Sequence, residues 1–390
     1  MEALKKQIDA IFKTHRHEIE DAVKKIHAEP ELSGEETMAL KIQADLLEHW
    51  QFCVSKAYKR IDTAFNAVSG KGHPHVCFMS EYDALPGIGH GCGHNLIAGV
   101  ALGAGIILKE LIRKNCIQGR VSVMGTPAEE KRGGKVDLIR AGALGDVDVV
   151  LMAHPSDHAT SQSMETAGIM QFNIEFSGRT AHAAAAPEKG INALDAVRLL
   201  FSGVDAWRQQ LEETCRIHGV IREGGKAPNI IPDCSRADFY LRAFELDTLM
   251  SMKKRFENIA KGAALMTDTG LKFEEIPNSY KPAKPNDELN RVFMELADEY
   301  GMNPEWKEPS RASSDFGDVT WELPAMHAYF NITEGRHDAI AHSKQFAECA
   351  ISEFALKQMG TTAKILAQIG YWYLTLDDFR KKVDAGFTRA

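Results

Sequence analysis

The stretch HVCFMSEYDALPGIGHGCGHNLIAGVALGAGIILKE, residues 75–110, sets the reading of the whole chain. Its first six residues, His75–Ser80, are an apolar run of strand length that leads straight into the polar cluster Glu81-Tyr82-Asp83. Residues 96–108 are uncharged, rich in Gly and Ala, and closed by Lys109-Glu110. That run is shorter than the ~18 residues of a membrane span and reads as a buried helix. Two further apolar runs repeat the strand pattern. Residues 120–125 lead into Thr126-Pro127-Ala128-Glu129-Glu130, and residues 147–153 lead into His154-Pro155. Upstream, residues 2–27 and 36–50 have helical spacing around a Pro30/Gly34 break. Strands alternating with helices predict an α/β fold with a mostly parallel sheet, and such sheets gather their functional residues past the strand ends.

The middle of the chain changes character. Residues 168–177 alternate with period two, 191–211 form a helical pattern, 237–244 a strand, 246–266 a helix and 271–276 a short strand. This β-α-β-α-β order fits an α+β insert of ~110 residues. Pro277 to Pro285 reads as the return hinge, after which come a helix at 287–300, an apolar run at 325–330 and a helix-rich end at 345–373. The expected organisation is a discontinuous catalytic domain, 1–166 and 282–390, interrupted by an α+β dimerisation (lid) domain at 167–281.

Composition narrows the function. The 390 residues are 44% hydrophobic and 26% charged, which excludes collagen-like, coiled-coil and disordered chains. Acidic residues outnumber basic ones, 54 to 46, for a formal net charge of −8. That balance offers no general attraction to nucleic acid or anionic membranes, and neither partner is expected. The N-terminal residues have no apolar run of the kind a secretory signal carries. Seven cysteines are scattered without paired spacing, so a disulfide framework is not expected and a reducing cytoplasm is.

Three strand ends carry the chemistry. Cys92 and His94 sit two residues apart among Gly87, Gly89, Gly91 and Gly93, where both side chains can face one metal and helix-terminal N–H groups can help ionise the sulfur. The plainer reading is a loop cysteine beside a helix-capping histidine. Glu129-Glu130 are adjacent carboxylates, which repel unless one binds a cation and the other moves a proton; a solvated turn neutralised by Lys131-Arg132 is the alternative. His154 before Pro155 could simply pack. Together they make a mixed S/N/O set suited to zinc or manganese, and a spare Glu points to an open catalytic site.

The run Glu81-Tyr82-Asp83-Ala84-Leu85-Pro86 followed by GIGHGCGHNLIAG resembles the amidohydrolase branch of the zinc aminoacylase/carboxypeptidase metallopeptidases. That branch includes p-aminobenzoyl-glutamate hydrolases, indole-acetyl-amino-acid hydrolases and related dipeptidases. The resemblance extends over Pro30-Glu31-Leu32, TPAEE, MAHP, GRTAHAAAAPEKGINALDAV, APNIIPD and SSDFGDVT. It implies two divalent metal ions per chain, with Cys92 as the bridging ligand, His94 and His154 on one ion, and Glu130 with a C-terminal histidine on the other. His342 is the candidate for that last place and His337 its competitor. The resemblance makes Glu129 the general base and Asp83 the carboxylate orienting a ligand histidine. It gives His182 the role of reaching into a partner subunit's site to polarise the scissile carbonyl, so a homodimer or higher homo-oligomer is expected; capping of a helix near Ile191 is its structural alternative. Asn229 and Arg242 match residues near the substrate carboxylate. Gly91 departs from the family, which usually has Ala there, and a looser metal loop is the expectation.

The implied activity is hydrolysis of the amide bond in an N-acyl or N-aroyl amino acid or small dipeptide. Hydrolytic deamination of an aromatic amine, a Cys92 nucleophile without metal, and a non-catalytic metal-binding homologue are the competing readings. A thiol hydrolase has no need of Glu129, Glu130 and His154, and a binding protein has no use for the base.

Overall fold

The computed structural model describes residues 2–277 and 279–387. They divide into two compact units, one of Met1–Glu165, Lys284–Pro309 and Asp318–Ala390, the other of Thr166–Ala283 and Ser310–Gly317. Ser310–Gly317, expected in the catalytic domain, groups with the second unit, where Ala167 N–H donates to Ser310 O at 3.1 Å and Ser313 Oγ donates to Ala167 O at 2.7 Å.

The first unit is built on a six-stranded sheet. Its strands are β1 (Cys53–Lys56), β2 (Phe65–Lys71), β3 (His75–Ser80), β4 (Gly119–Gly125) and β5 (Val149–Ser156), with a last strand at Ala325–Asn331. In space the order is β1, β2, β4, β3, β5 and then the Ala325–Asn331 strand. The last four of these run parallel, and β2 is antiparallel to both of its neighbours. All six residues of β3 are buried, as expected of a parallel strand covered on both faces. β1 and β2 are absent from the sequence reading. β1 is four residues long and mostly exposed, and β2 fully buries only Phe65 and Ala67, so neither has an apolar signature.

The uncharged run at 96–108 is the middle of a longer helix, His94–Lys114. By length and composition alone this 21-residue helix could cross a membrane, but it is the buried core helix of the unit, packed on helices Glu2–Ala28 and Glu353–Thr375 and on β3 and β5. Its small residues are what that close packing requires. A Cβ on Gly99 would lie 2.2 Å from Met359 Sδ, and one on Gly105 2.4 Å from Val123 Cγ2. One apolar cluster runs through the helices and one face of the sheet.

The second unit has the order β6 (Gly168–Ser177), helix Ala193–Arg208, β7 (Arg216–Glu223), β8 (Cys234–Ala243), helix Leu246–Thr267 and β9 (Gly270–Glu275). Its antiparallel sheet is ordered β7-β8-β6-β9, a β-α-β-β-α-β arrangement with one strand more than the sequence predicts. That strand, β7, lies at an edge and buries only Ile217, so RIHGVIRE carries no period-two signal. In β8 the alternation is clear: Ser235, Ala237, Phe239, Leu241 and Ala243 are buried, and the residues between them are not. With the Ala325–Asn331 strand taken as β10, the chain has ten strands among the described residues.

The tight helix–sheet contact makes a testable point. Gly105→Val adds a branched side chain where Val123 already fills the space, and overpacking of this kind costs about 1–3 kcal/mol. Urea melts are expected to show that loss, whereas an unchanged midpoint would mean that the helix does not sit so close to β4.

Candidate active site

The site lies past the carboxyl ends of the parallel strands of the first unit, and each ligand candidate is placed there by its own local structure. Cys92 sits in the turn before helix His94–Lys114, capped by Gly93 at φ +72°. A Cβ on Gly93 would lie 2.6 Å from Pro155 Cγ, so glycine provides both the left-handed turn and the room for β5 to come close. Glu129 and Glu130 follow β4 in a turn set by Ala128 at φ +62°, whose N–H donates to the buried carboxylate Glu36 Oε1 at 2.8 Å. A non-glycine residue in this region is strained and marks a position fixed by its surroundings. His154 lies within β5 itself. His342 precedes helix Lys344–Cys349; its φ is +68° and its N–H donates to Gly91 O at 2.8 Å. The loop that carries His342 is therefore hydrogen-bonded to the cysteine loop.

These elements bring the candidates together. Cys92 Sγ is 3.3 Å from His342 Nε2 and 3.8 Å from His154 Nε2. Ligand atoms of Cys92, His94 and His154 all lie within 4.8 Å of one another, as do those of Cys92, Glu130 and His342. A third group joins His94, Glu129 and Glu130. Two of the groups share Cys92, the arrangement needed for one thiolate to face two cations. His337 is exposed and belongs to none of these groups among the described residues.

Hydrogen bonds decide which atoms face the centre. His94 Nδ1 is 3.0 Å from Asp83 Oδ1, leaving Nε2 as the candidate ligand atom. Asp83 Oδ2 accepts from Ser33 Oγ at 2.7 Å and from the Glu130 N–H at 3.0 Å. His154 Nδ1 donates to Pro155 O at 2.6 Å, so its Nε2 is the bare nitrogen turned to Cys92. His94 Nε2 and Glu130 Oε1 are buried without a hydrogen-bond partner among the described residues. Buried polar atoms are seldom left so, and a divalent cation accepting both donors satisfies them.

The electrostatics suit a cation too. Burial works against the charge of Asp83, but bonds from His94, Ser33 and the Glu130 amide hold it well below the usual carboxylate range. Burial likewise opposes charge on His94, yet the bonds to Asp83 and Cys92 and the charge of Glu81 raise it well above the ordinary histidine value, so a bound cation would have to displace its proton. Burial and the charge of His94 push His154 down to about 3, keeping it neutral and able to ligate. The Cys92 thiol is pushed up by burial, against the expectation that helix N–H groups would ionise it. Desolvation outweighs them, and the thiolate forms only as a cation displaces its proton.

Gly91 is not loose: a Cβ there would meet Ile88 Cγ2 at 2.6 Å, so the Ile88 side chain occupies the place of the family's usual methyl. Several residues here have no site role in the sequence reading. Glu81 Oε2 is 3.4 Å from His94 Nε2, and Lys135, far inside, contacts Glu81. His327 stacks edge-on to His154 with ring centres 5.7 Å apart, and Tyr329 lies beside both. Lys135 had no signal beyond its neighbouring glycines, and His327 and Tyr329 read as ordinary strand residues.

His182, Asn229 and Arg242 lie in the second unit. His182 is exposed, its Nδ1 accepting from Ala184 N–H at 3.2 Å and Ala185 N–H at 3.1 Å. It caps its own turn, while Asn192 caps helix Ala193–Arg208. The Asn229 carbonyl accepts from Ala183 N–H at 3.0 Å, which ties the two segments together. Arg242 on β8 is half-buried and donates to Ser313 Oγ at 2.8 Å, so it is not the free surface residue its strand position suggests.

Residues 77–369, well over half of the chain, match peptidase family M20/M25/M40. The human Xaa-Arg dipeptidase is 36% identical over 362 residues, covering 88% of this chain and 82% of that protein. One of the subunits of the p-aminobenzoyl-glutamate hydrolase of Escherichia coli is 32% identical over 326 residues, covering 78% of this chain and 67% of its own. Among solved structures, a dinuclear metal-binding peptidase of the same family from Bacillus subtilis has the same fold, with a TM-score of 0.69, 19% identity, and coverage of 92% and 99%. The chain is therefore a metal-dependent hydrolase of peptidase family M20/M25/M40.

Proposed function

We propose that this hydrolase cleaves the amide bond of an N-acyl or N-aroyl amino acid or small dipeptide at a dinuclear zinc or manganese centre bridged by Cys92. The observation that carries this reading is the pair of ligand groups sharing Cys92, with Glu129 beside them as a carboxylate not needed in either. His94 and His154 would hold one ion, and Glu130 and His342 the other. Divalent ions there supply Lewis acidity, making water acidic enough to ionise near neutral pH and polarising a carbonyl. The relatives act, by their names, on Xaa-Arg dipeptides and on p-aminobenzoyl-glutamate, and both leaving groups are amino acids.

In this reading Glu129 takes a proton from the attacking water and returns it to the leaving amine. Asp83 keeps His94 in the tautomer that presents Nε2. The contacts of His182 support a donor role: with Nδ1 accepting two backbone N–H groups, its proton is on Nε2, free to be given to a developing oxyanion. We place that oxyanion in the partner subunit of a homodimer, and Asn229 and Arg242 at the substrate carboxylate. A thiol ligand must stay reduced, and all seven cysteines are free, which favours the cytoplasm.

Two experiments test the assignments. Glu129→Gln is expected to keep its metal and fold while losing about 100- to 10,000-fold in kcat. Glu130→Gln is expected to lose metal instead, so near-native turnover in the first variant removes Glu129 as the base. Mixing His182→Ala chains with Glu129→Gln chains, under conditions where tagged subunits exchange, creates hybrid dimers with one intact site. Random exchange is expected to restore up to about a quarter of wild-type activity. No recovery despite exchange would place His182 outside the partner's site.

A further inference from the structure

One buried ion pair stands at the ligand cluster without a role in the steps above. Lys135 is 0% exposed and Glu81 1% exposed, and Lys135 Nζ contacts Glu81 Oε1. Lysine reaches this depth because two glycines lead the chain in. Gly133 has φ +62°, and a Cβ on Gly134 would lie 1.9 Å from Pro127 O, so the first turn of helix Gly134–Arg140 is pressed against the segment that carries Glu129 and Glu130. The other oxygen of the pair, Glu81 Oε2, lies 3.4 Å from His94 Nε2; Glu130 Oε1 lies 3.8 Å from the same nitrogen. Glu81 thus borders the atom that faces a cation, yet it belongs to none of the three ligand groups.

The charges explain such a pair. With Asp83, Glu129, Glu130 and a Cys92 thiolate, Glu81 makes a fifth anionic side chain in a largely buried site. Two divalent cations offset four of these charges, and the Lys135 ammonium offsets the fifth. A lysine within the interior that served packing alone would be replaceable by an apolar chain at little cost. Here its charge is placed against a carboxylate whose other oxygen borders His94 Nε2.

We infer that Glu81 and Lys135 are a positioning pair of the metal centre: Glu81 is a non-ligating carboxylate that favours a cation beside His94, and Lys135 holds it off the ions while balancing the charge. This rests on the dinuclear reading, and the experiment separates the two. Zinc affinity is measured by chelator competition for the wild type, Glu81→Gln, Lys135→Arg, and Glu81→Gln/Lys135→Met, with cobalt(II) absorption spectra of each at saturation. Glu81→Gln removes one negative charge beside the ions and the Lys135 ammonium, and an effect of about tenfold or more on zinc affinity is expected from one unit charge at this range. Removing the ammonium as well is expected to return the affinity to within about threefold of wild type, and Lys135→Arg is expected to stay within the same margin. The cobalt bands are expected to keep their positions in every variant, since no ligand changes.

The double variant carries no buried charge at these two positions, so it keeps the test alive if Glu81→Gln alone fails to fold. In that case its wild-type-like affinity and cobalt spectrum support the pair, and a loss of about tenfold in it counts against the pair. With Glu81→Gln folded, an unchanged affinity, or a double variant as weak as the single, would overturn the inference. Shifted cobalt bands in Glu81→Gln would also overturn it, by making Glu81 a ligand. A wild type that binds no zinc would instead remove the dinuclear reading itself.

Discussion

The two oxygens of Asp83 hold the site together. One orients His94 through Nδ1, and the other accepts both the Ser33 hydroxyl and the amide of Glu130. A single buried carboxylate after β3 therefore fixes the start of the core helix and the turn after β4 with respect to each other. Its bonds keep it ionised where burial alone would neutralise it. A charge desolvated to this degree is worth its cost only if both oxygens are hydrogen-bonded, and Asp83 meets that condition. In the proposed centre this places one nitrogen ligand and one oxygen ligand by the same group.

The remaining proposed ligands are positioned by close backbone approach rather than by charge. Gly93 lets Pro155 come against the cysteine loop, which sets His154 beside Cys92. The Gly91 carbonyl accepts from His342 N–H, which sets the last histidine against the same loop. The result is a pocket in which a protonated thiol, a neutral His154 and a histidine–aspartate pair stand within a few ångströms of one another. Each is stable in that form without a cation, and each has an atom turned inward that a cation can use. In the proposed centre the backbone is preorganised for metal, while the protons that metal would displace are held by burial.

Much of this was legible in the sequence, for physical reasons that differ between elements. β3 and β5 were visible because strands buried on both faces are continuous apolar runs, and their polar ends announced where the ligands gather. Gly168–Ser177 was visible because one face is wet and its alternation survives. β1 and β7 were not, since these edge strands bury too little to leave a pattern, and β2 fully buries only two of its residues. In the site, Cys92, His94, Glu129, Glu130 and His154 were marked by residue type and by position at strand ends. His342 could not be told from His337 by spacing, because the choice depends on a loop whose left-handed turn and hydrogen bond to Gly91 exist only in the fold. Lys135 and His327 were hidden for the same reason. A buried lysine or histidine looks like any other until its partner in the fold is known.

The central claim is that Cys92 bridges two divalent ions between the His94/His154 side and the Glu130/His342 side. Anomalous diffraction from crystals of the protein loaded with manganese tests it most directly. The account predicts two anomalous peaks flanking Cys92 Sγ, one reached by His94 and His154 and the other by Glu130 and His342. A single peak, or two peaks with the cysteine sulfur outside both coordination shells, would contradict it.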